Sequence, residues 1–323
     1  HTFANDPERG IFILIFLFFL IILSLLLFFI YQGREDIPQK NFFIISKETS
    51  ILINNWFMMY FLSVVLIGTT YPIFLEVIIN EKISIGPPFF NKLIIPFLAF
   101  FLIFMAAGPK LNWIKDNFKR IKYSRVFIFF ICIIISFYLI NKSSSEILFT
   151  TVIGGAALYL LFTIMKEFFE KRSNIPQTIS HFGFSLFILS ILFNNLFSSE
   201  FSANMKIGQE LIYKNEQIKF LNVKTFDKEN YKSVKANFEI IDKKNNTISL
   251  YPEIRIYNQP NIMTSEADIK TSIFQDKFFV INFLKNENYF NVRYQVKSFM
   301  IWIWISTLLI VLGGLIGLVR KIK

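Results

Sequence analysis

The chain has 323 residues, 54% of them hydrophobic and 18% aromatic, with 42 phenylalanines and a mean hydropathy of +0.48. Charged residues make up 18% of it, below the roughly one quarter of a soluble globular chain, and the net charge is +11. These figures exclude a disordered chain, a disulfide scaffold (Cys132 is the one cysteine) and an ordinary water-soluble enzyme; they point to a membrane protein with a polar appendage.

The first ten residues contain His1 and no basic leader ahead of a short apolar run, so residue 1 is expected to be an internal position of a longer sequence, not the start of a signal peptide. His1 reads either as a solvated (even tag-derived) histidine or as a functional one. A bilayer core about 30 Å thick needs roughly 20 apolar residues in a helix. Residues 11–31, 51–75, 89–107, 126–140, 147–165, 179–197 and 298–319 supply seven such runs. Glu76 ends the second run and is either an interfacial carboxylate or part of a proton or quinol path. Lys92 lies close enough to an end of the third to snorkel. Cys132, mid-way along the fourth, reads as an inert packing residue. Gly154, Gly155, Ala156 and Ala157 in the fifth suit close helix packing.

His181 lies two residues inside the sixth run, followed by Phe182, Gly183, Phe184 and Ser185. Intramembrane ionisable residues usually face a bundle interior or a cofactor, and a neutral imidazole is a standard axial ligand of haem iron. The alternative is a hydrated histidine at the headgroup boundary. Gly183 would let either a flat macrocycle or a neighbouring helix approach. Trp302 and Trp304, at the start of the last run, fit an interfacial aromatic belt.

Loop charge sets the expected orientation. The loops 32–50, 108–125 and 166–178 and the tail after Val319 hold 15 Lys and Arg, and the segments 1–10, 80–92 and 141–146 hold 4. The richer set is expected in the cytoplasm, with the long stretch 198–297 outside and the C-terminus inside. In that stretch the period drops to two. Residues 232–242 and 247–257 predict a hairpin about Lys243–Asn246, and 277–284 with 289–296 a second about Lys285–Asn288. Residues 265–274 are expected to form a helical or irregular crossover. The expected organisation is a six-span membrane part (1–197), a β-rich outer domain (198–297), and a last span with a basic tail (298–323). As a class this is an all-α polytopic membrane protein with a small β-rich extracytoplasmic domain between its last two helices. Read from periodicity alone, that domain is a spacer, a lid or a functional module.

The sequence carries no Gly-rich phosphate loop, C-x-x-C pair, serine-nucleophile motif or zinc-ligand cluster, so ATP hydrolysis and thiol–disulfide chemistry are not expected of it. Its basic excess follows inner-loop charge and does not indicate a nucleic-acid surface.

Several segments, in order, resemble a known family. His1-Thr2-Phe3-Ala4-Asn5-Asp6-Pro7-Glu8-Arg9-Gly10-Ile11-Phe12 is similar to the H-A-F-A-x-D-P-x-R-G-x-F segment of the CcmF family, the large membrane subunit of the bacterial cytochrome c haem lyase. Gly68-Thr69-Thr70-Tyr71-Pro72 resembles its G-T-x-Y-P, and Lys82 to Asn91 its K-x-S-V-G-P-P-Y-F-N. His181-Phe182-Gly183 resembles its H-x-G. Thr264-Ser265-Glu266-Ala267 and Gln275-Asp276 stand where the outer domain has T-E-A and R-D elements, with Gln275 replacing the basic residue.

The resemblance is to the C-terminal half of the family. It implies that His181 is an axial ligand of a b-type haem and that His1 is an axial ligand of the substrate haem on the outer face. In that family the b-type haem reduces the substrate haem, with quinol as an electron source, before thioether attachment to a C-x-x-C-H apocytochrome c. The resemblance further implies a bacterial inner membrane location. Partners would be an N-terminal half that carries the second axial histidine, a haem chaperone, the apocytochrome c-presenting subunits and membrane lipid. This chain alone would then be inactive. Two alternatives are a haem or small-molecule transporter, for which no internal repeat is visible, and a structural anchor for the outer domain.

Overall fold

The computed structural model describes residues 7–31, 43–79, 81–116, 123–140, 147–170, 174–243, 245–284 and 289–322. His1 and the hairpin residues Lys285–Asn288 lie outside these. The described helices are α1 (Pro7–Tyr31), α2 (Lys47–Ile79), α3 (Pro87–Ala107), α4 (Tyr123–Ile140), α5 (Ile147–Phe169), α6 (Ile175–Phe197) and α7 (Met300–Ile322). All seven are long and apolar enough to cross a membrane. They fall where the apolar runs predict, with α1, α2 and α6 each starting four residues earlier than expected. Pro176, in the first turn of α6, explains that extension, since proline's fixed φ suits the first helical positions.

The chain divides into two compact units: one holds α1–α5, and the other holds α6, all the strands and α7. In the first unit α5 is the most buried helix, with Gly154, Gly155, Ala156, Ala157 and Leu160 inside. A Cβ on Gly155 would stand 2.9 Å from the backbone Cα of Ile133 on α4, so the absent side chain permits this close crossing. The cytoplasm-side loop predicted after α3 is tied back. Both carboxylate oxygens of Glu48 accept the backbone N–H of Ile114 (3.0 and 2.9 Å), and Lys110 pairs with Glu167 at 3.0 Å.

The second unit contains an antiparallel sandwich. Strands β1 (Ser199–Met205), β10 (Phe290–Ser298), β9 (Gln275–Phe283) and β8 (Asp268–Thr271) form one sheet in that spatial order. The other runs β2 (Glu210–Tyr213), β3 (Glu216–Asp227), β4 (Tyr231–Asp242), β6 (Glu253–Tyr257) and β7 (Met263–Glu266), with β5 (Thr247–Leu250) also on β4. Alternate residues of each strand point inward. Phe220 and Phe238 stack with centroids 4.3 Å apart, and Phe238 meets Phe279 across the sheets at 4.2 Å.

The two predicted hairpins are present, with Ile241 opposite Thr247 and Phe283 opposite Phe290. The crossover reading of 265–274 is corrected: these residues belong to β7, β8 and the turn into β9. Strands of four residues, half of them polar, leave too little alternation to read. The predicted strand 247–257 is split between β5 and β6 at Tyr251 and Pro252, because proline has no N–H for the ladder.

Candidate functional site

His181 sits about two turns into α6, between Ile179 and Ser180 on one side and Phe182 and Gly183 on the other. Several other polar side chains of this helix have partners. Thr178 Oγ1 donates to the Asn174 carbonyl (3.0 Å), Ser190 Oγ to Leu186 (2.7 Å), and Ser180 Oγ to Ile310 on α7 (3.4 Å). The half-buried ring of His181, by contrast, makes no hydrogen bond or ion pair with a described residue. No described side chain therefore occupies either imidazole nitrogen.

The packing of α6 on α7 decides between the two roles open to Gly183. A Cβ there would lie 2.9 Å from the Ser306 carbonyl oxygen and 3.0 Å from both Ile310 N and Leu309 Cβ. One on Gly313 would lie 2.6 Å from Ser180 N and 2.8 Å from the Pro176 carbonyl oxygen. Gly183 therefore serves the approach of a helix. Pro176, Ser180 and Gly183 form the α6 face of this crossing. With 3.6 residues per turn, His181 lies about 100° around the helix from Ser180 and about 160° from Gly183. The imidazole thus leaves α6 on a flank, away from α7.

The junction between helices and sandwich is held by hydrogen bonds. Asn194 Nδ2 donates to the Ser298 carbonyl (2.6 Å), and Ser298 N–H donates to Ser198 Oγ (3.0 Å). Phe299, the one residue between β10 and α7, has a positive φ of 60°, uncommon for a bulky side chain. It is held there by its N–H to the Phe274 carbonyl (2.8 Å) and by ring contacts with Phe193, Phe197 and Phe274.

Of the remaining candidates, Glu76 is 3% exposed on the buried stripe Val64, Gly68, Pro72 and Glu76 of α2. Lys82 Nζ stands 3.5 Å from its Oε1. Cys132 is buried on α4. Trp302 is half-buried with no partner for Nε1, and Trp304 is exposed. Thr264 and Glu266 bond to each other on β7 (3.0 Å). Asp276 opens β9 buried, its Oδ1 without a hydrogen bond.

Sequence reasoning missed a charged network inside the sandwich. Lys277 Nζ meets Glu216 Oε1 at 2.7 Å, and Tyr294 Oη donates to Glu216 Oε2 at 2.6 Å. Burial, reinforced by the Glu216 carboxylate, pushes the Tyr294 phenol well above its ordinary range. On the surface, the Arg293 guanidinium beside Glu200 holds that carboxyl below the usual carboxylate range against a desolvation that opposes it.

Residues 196–298 match the family model of the CcmF C-terminal β-sandwich, which coincides with the strands of the second unit. The chain is similar to the cytochrome c-type biogenesis protein CcmF of Haemophilus influenzae, with 30% identity over 98% of this chain and 51% of that protein. It is equally similar to the CcmF of Escherichia coli, at 30% identity over 98% of this chain and 50% of the relative. The chain thus spans about half the length of the curated relatives it matches. Its fold resembles a solved cytochrome c haem lyase CcmF with a TM-score of 0.67 at 20% identity, over 84% of this chain and 46% of that one. An apolar seven-helix complement, a sandwich between the last two helices and these similarities along nearly the whole chain agree: the chain carries the CcmF C-terminal β-sandwich and is similar to the C-terminal half of CcmF proteins.

Proposed function

We propose that this chain forms the C-terminal half of a membrane-embedded cytochrome c haem lyase component in the bacterial inner membrane, with the β-sandwich on the outer face. His181 supplies one axial imidazole to a b-type haem. His1 is an axial ligand of the haem being delivered on the outer face. The observation that carries the reading is the His181 ring, left without a described protein partner on the flank of an apolar helix, in a chain similar to CcmF proteins throughout.

The residues fit one side of such a group. Iron takes a neutral imidazole nitrogen, and the ring is not committed to an internal hydrogen bond. His181 is the only histidine among the described residues, so the opposing imidazole comes from polypeptide outside this chain. When bound, the group supplies a one-electron couple that keeps the delivered haem ferrous, with quinol as the source of electrons. Each thiol of a C-x-x-C-H apocytochrome c then adds across a vinyl group, sulfur to one carbon and hydrogen to the other. A haem chaperone brings the substrate, and other subunits present the apocytochrome. The loop-charge asymmetry, 15 basic residues against 4, supports the orientation.

The test is His181→Ala in the full-length protein purified in detergent. The expected result is an unchanged yield of membrane-inserted protein with loss of its b-type absorbance. A variant that retains full haem content overturns the assignment.

A further inference from the structure

The turn joining β8 to β9 runs Ser272, Ile273, Phe274 and Gln275. Its base is closed by bonds from Ser272 N–H and Ser272 Oγ to the Gln275 carbonyl (3.1 and 2.5 Å) and from Gln275 N–H to Ser272 Oγ (3.2 Å). Thr271 and Asp276 face each other just behind it. The central positions of such a turn are ordinarily taken by Gly, Pro, Asn, Asp or Ser. Here they are a β-branched residue and an aromatic one, and both point outward: Ile273 is 61% exposed and Phe274 63%. A large apolar pair at the tip of a well-made turn departs from local propensity with nothing in the sandwich to compensate it, and such departures mark functional positions.

Its place in the fold says what the pair meets. The Phe274 carbonyl accepts the N–H of Phe299, and the two rings lie 6.1 Å apart. Phe299 is the residue between β10 and α7, in ring contact with Phe193 and Phe197 at the end of α6. The turn is therefore fixed at the level where both apolar helices of this unit end. On α7, Trp304 follows at 66% exposure, in the position of an interfacial aromatic. An apolar tip at this depth, beside two spans, continues the surface those spans already give to lipid.

We propose that Ile273 and Phe274 insert into the outer interfacial layer of the bilayer as a third contact beside α6 and α7. This sets the posture of the sandwich on the membrane so that it does not pivot on its two connections. The inference rests on the reading that α6 and α7 cross the membrane with the sandwich outside, and its occupant is phospholipid.

Single cysteines at 273, 274, 212 and 308 in a cysteine-free background that includes Cys132→Ser, each carrying a nitroxide in the full-length protein reconstituted in phospholipid bilayers, test it by power saturation. Leu308, exposed on α7, reports whether that helix is in lipid; Ile212, exposed on β2, reports water. The expected result is greater accessibility to oxygen than to a water-soluble nickel chelate at 273, 274 and 308, and the reverse at 212. Chelate-dominated relaxation at 273 and 274 with oxygen-dominated relaxation at 308 overturns the proposal and leaves the membrane reading intact. Exclusion of both relaxants at 273 and 274 also overturns it, because protein then covers the tip. Water accessibility at 308 removes the membrane reading itself.

Discussion

At the scale of single residues, Lys277 shows what alternation reveals and what it hides. It shares inward parity with Phe279 and Ile281 on β9, so a charge on a core-facing position was visible in the predicted strand 277–284. Its partner Glu216 was not visible, because it lies 61 residues earlier on the opposite sheet. Removing one member of a buried pair strands the other, at about 3–5 kcal/mol. Lys277→Met should therefore lower the melting temperature of the sandwich markedly, while Glu216→Leu with Lys277→Met should recover most of the loss. A loss in the double variant equal to the sum of the two single-variant losses would show that the pair is not coupled. Titration behaves oppositely at the two ends of the pH scale. Tyr294, with its pKa raised, contributes stability that is full below about pH 10 and is lost only as pH rises through the higher folded value. Glu200, with its pKa lowered, contributes above about pH 4.3 and loses that contribution as pH falls through the lower value. Phenolate absorbance at Tyr294 should thus develop only above the ordinary phenol range, and Tyr294→Phe should diminish that late component.

At the scale of elements, the seven helices were legible because an uninterrupted apolar run of sufficient length has few alternative readings. The strands were legible where alternation was long, in β4, β9 and β10 and in the run 247–257 that the fold divides into β5 and β6. β1, β2 and β3 escaped because β1 has Ser199 among its inward positions, β2 has four residues with an exposed Ile212, and β3 breaks register between Phe220 and Asn222. The choice between helix and macrocycle for Gly183 depended on Ser306, Leu309 and Ile310, more than 120 residues away, which no local pattern encodes. That crossing makes an asymmetric prediction. Gly183→Val must push α6 from the backbone of α7, and overpacking of this kind costs about 1–3 kcal/mol. Gly314→Ala, which meets nothing within 4 Å, should leave thermal stability unchanged or raise it slightly. Comparable losses in the two variants would contradict the crossing.

At the scale of the whole molecule, the chain carries one imidazole in its apolar helices and matches half the length of its relatives, so in the function we propose it supplies one side of a two-sided site. The lone histidine was legible from the sequence. That its ring lies on a helix flank without a described partner required the packing of α6 on α7. The most direct measurement is the reduced-minus-oxidised spectrum of the full-length protein carrying His181→Gly, recorded before and after adding imidazole. Loss of the b-type band and its return with imidazole would establish that this side chain binds iron. A band unchanged by the substitution would contradict the account.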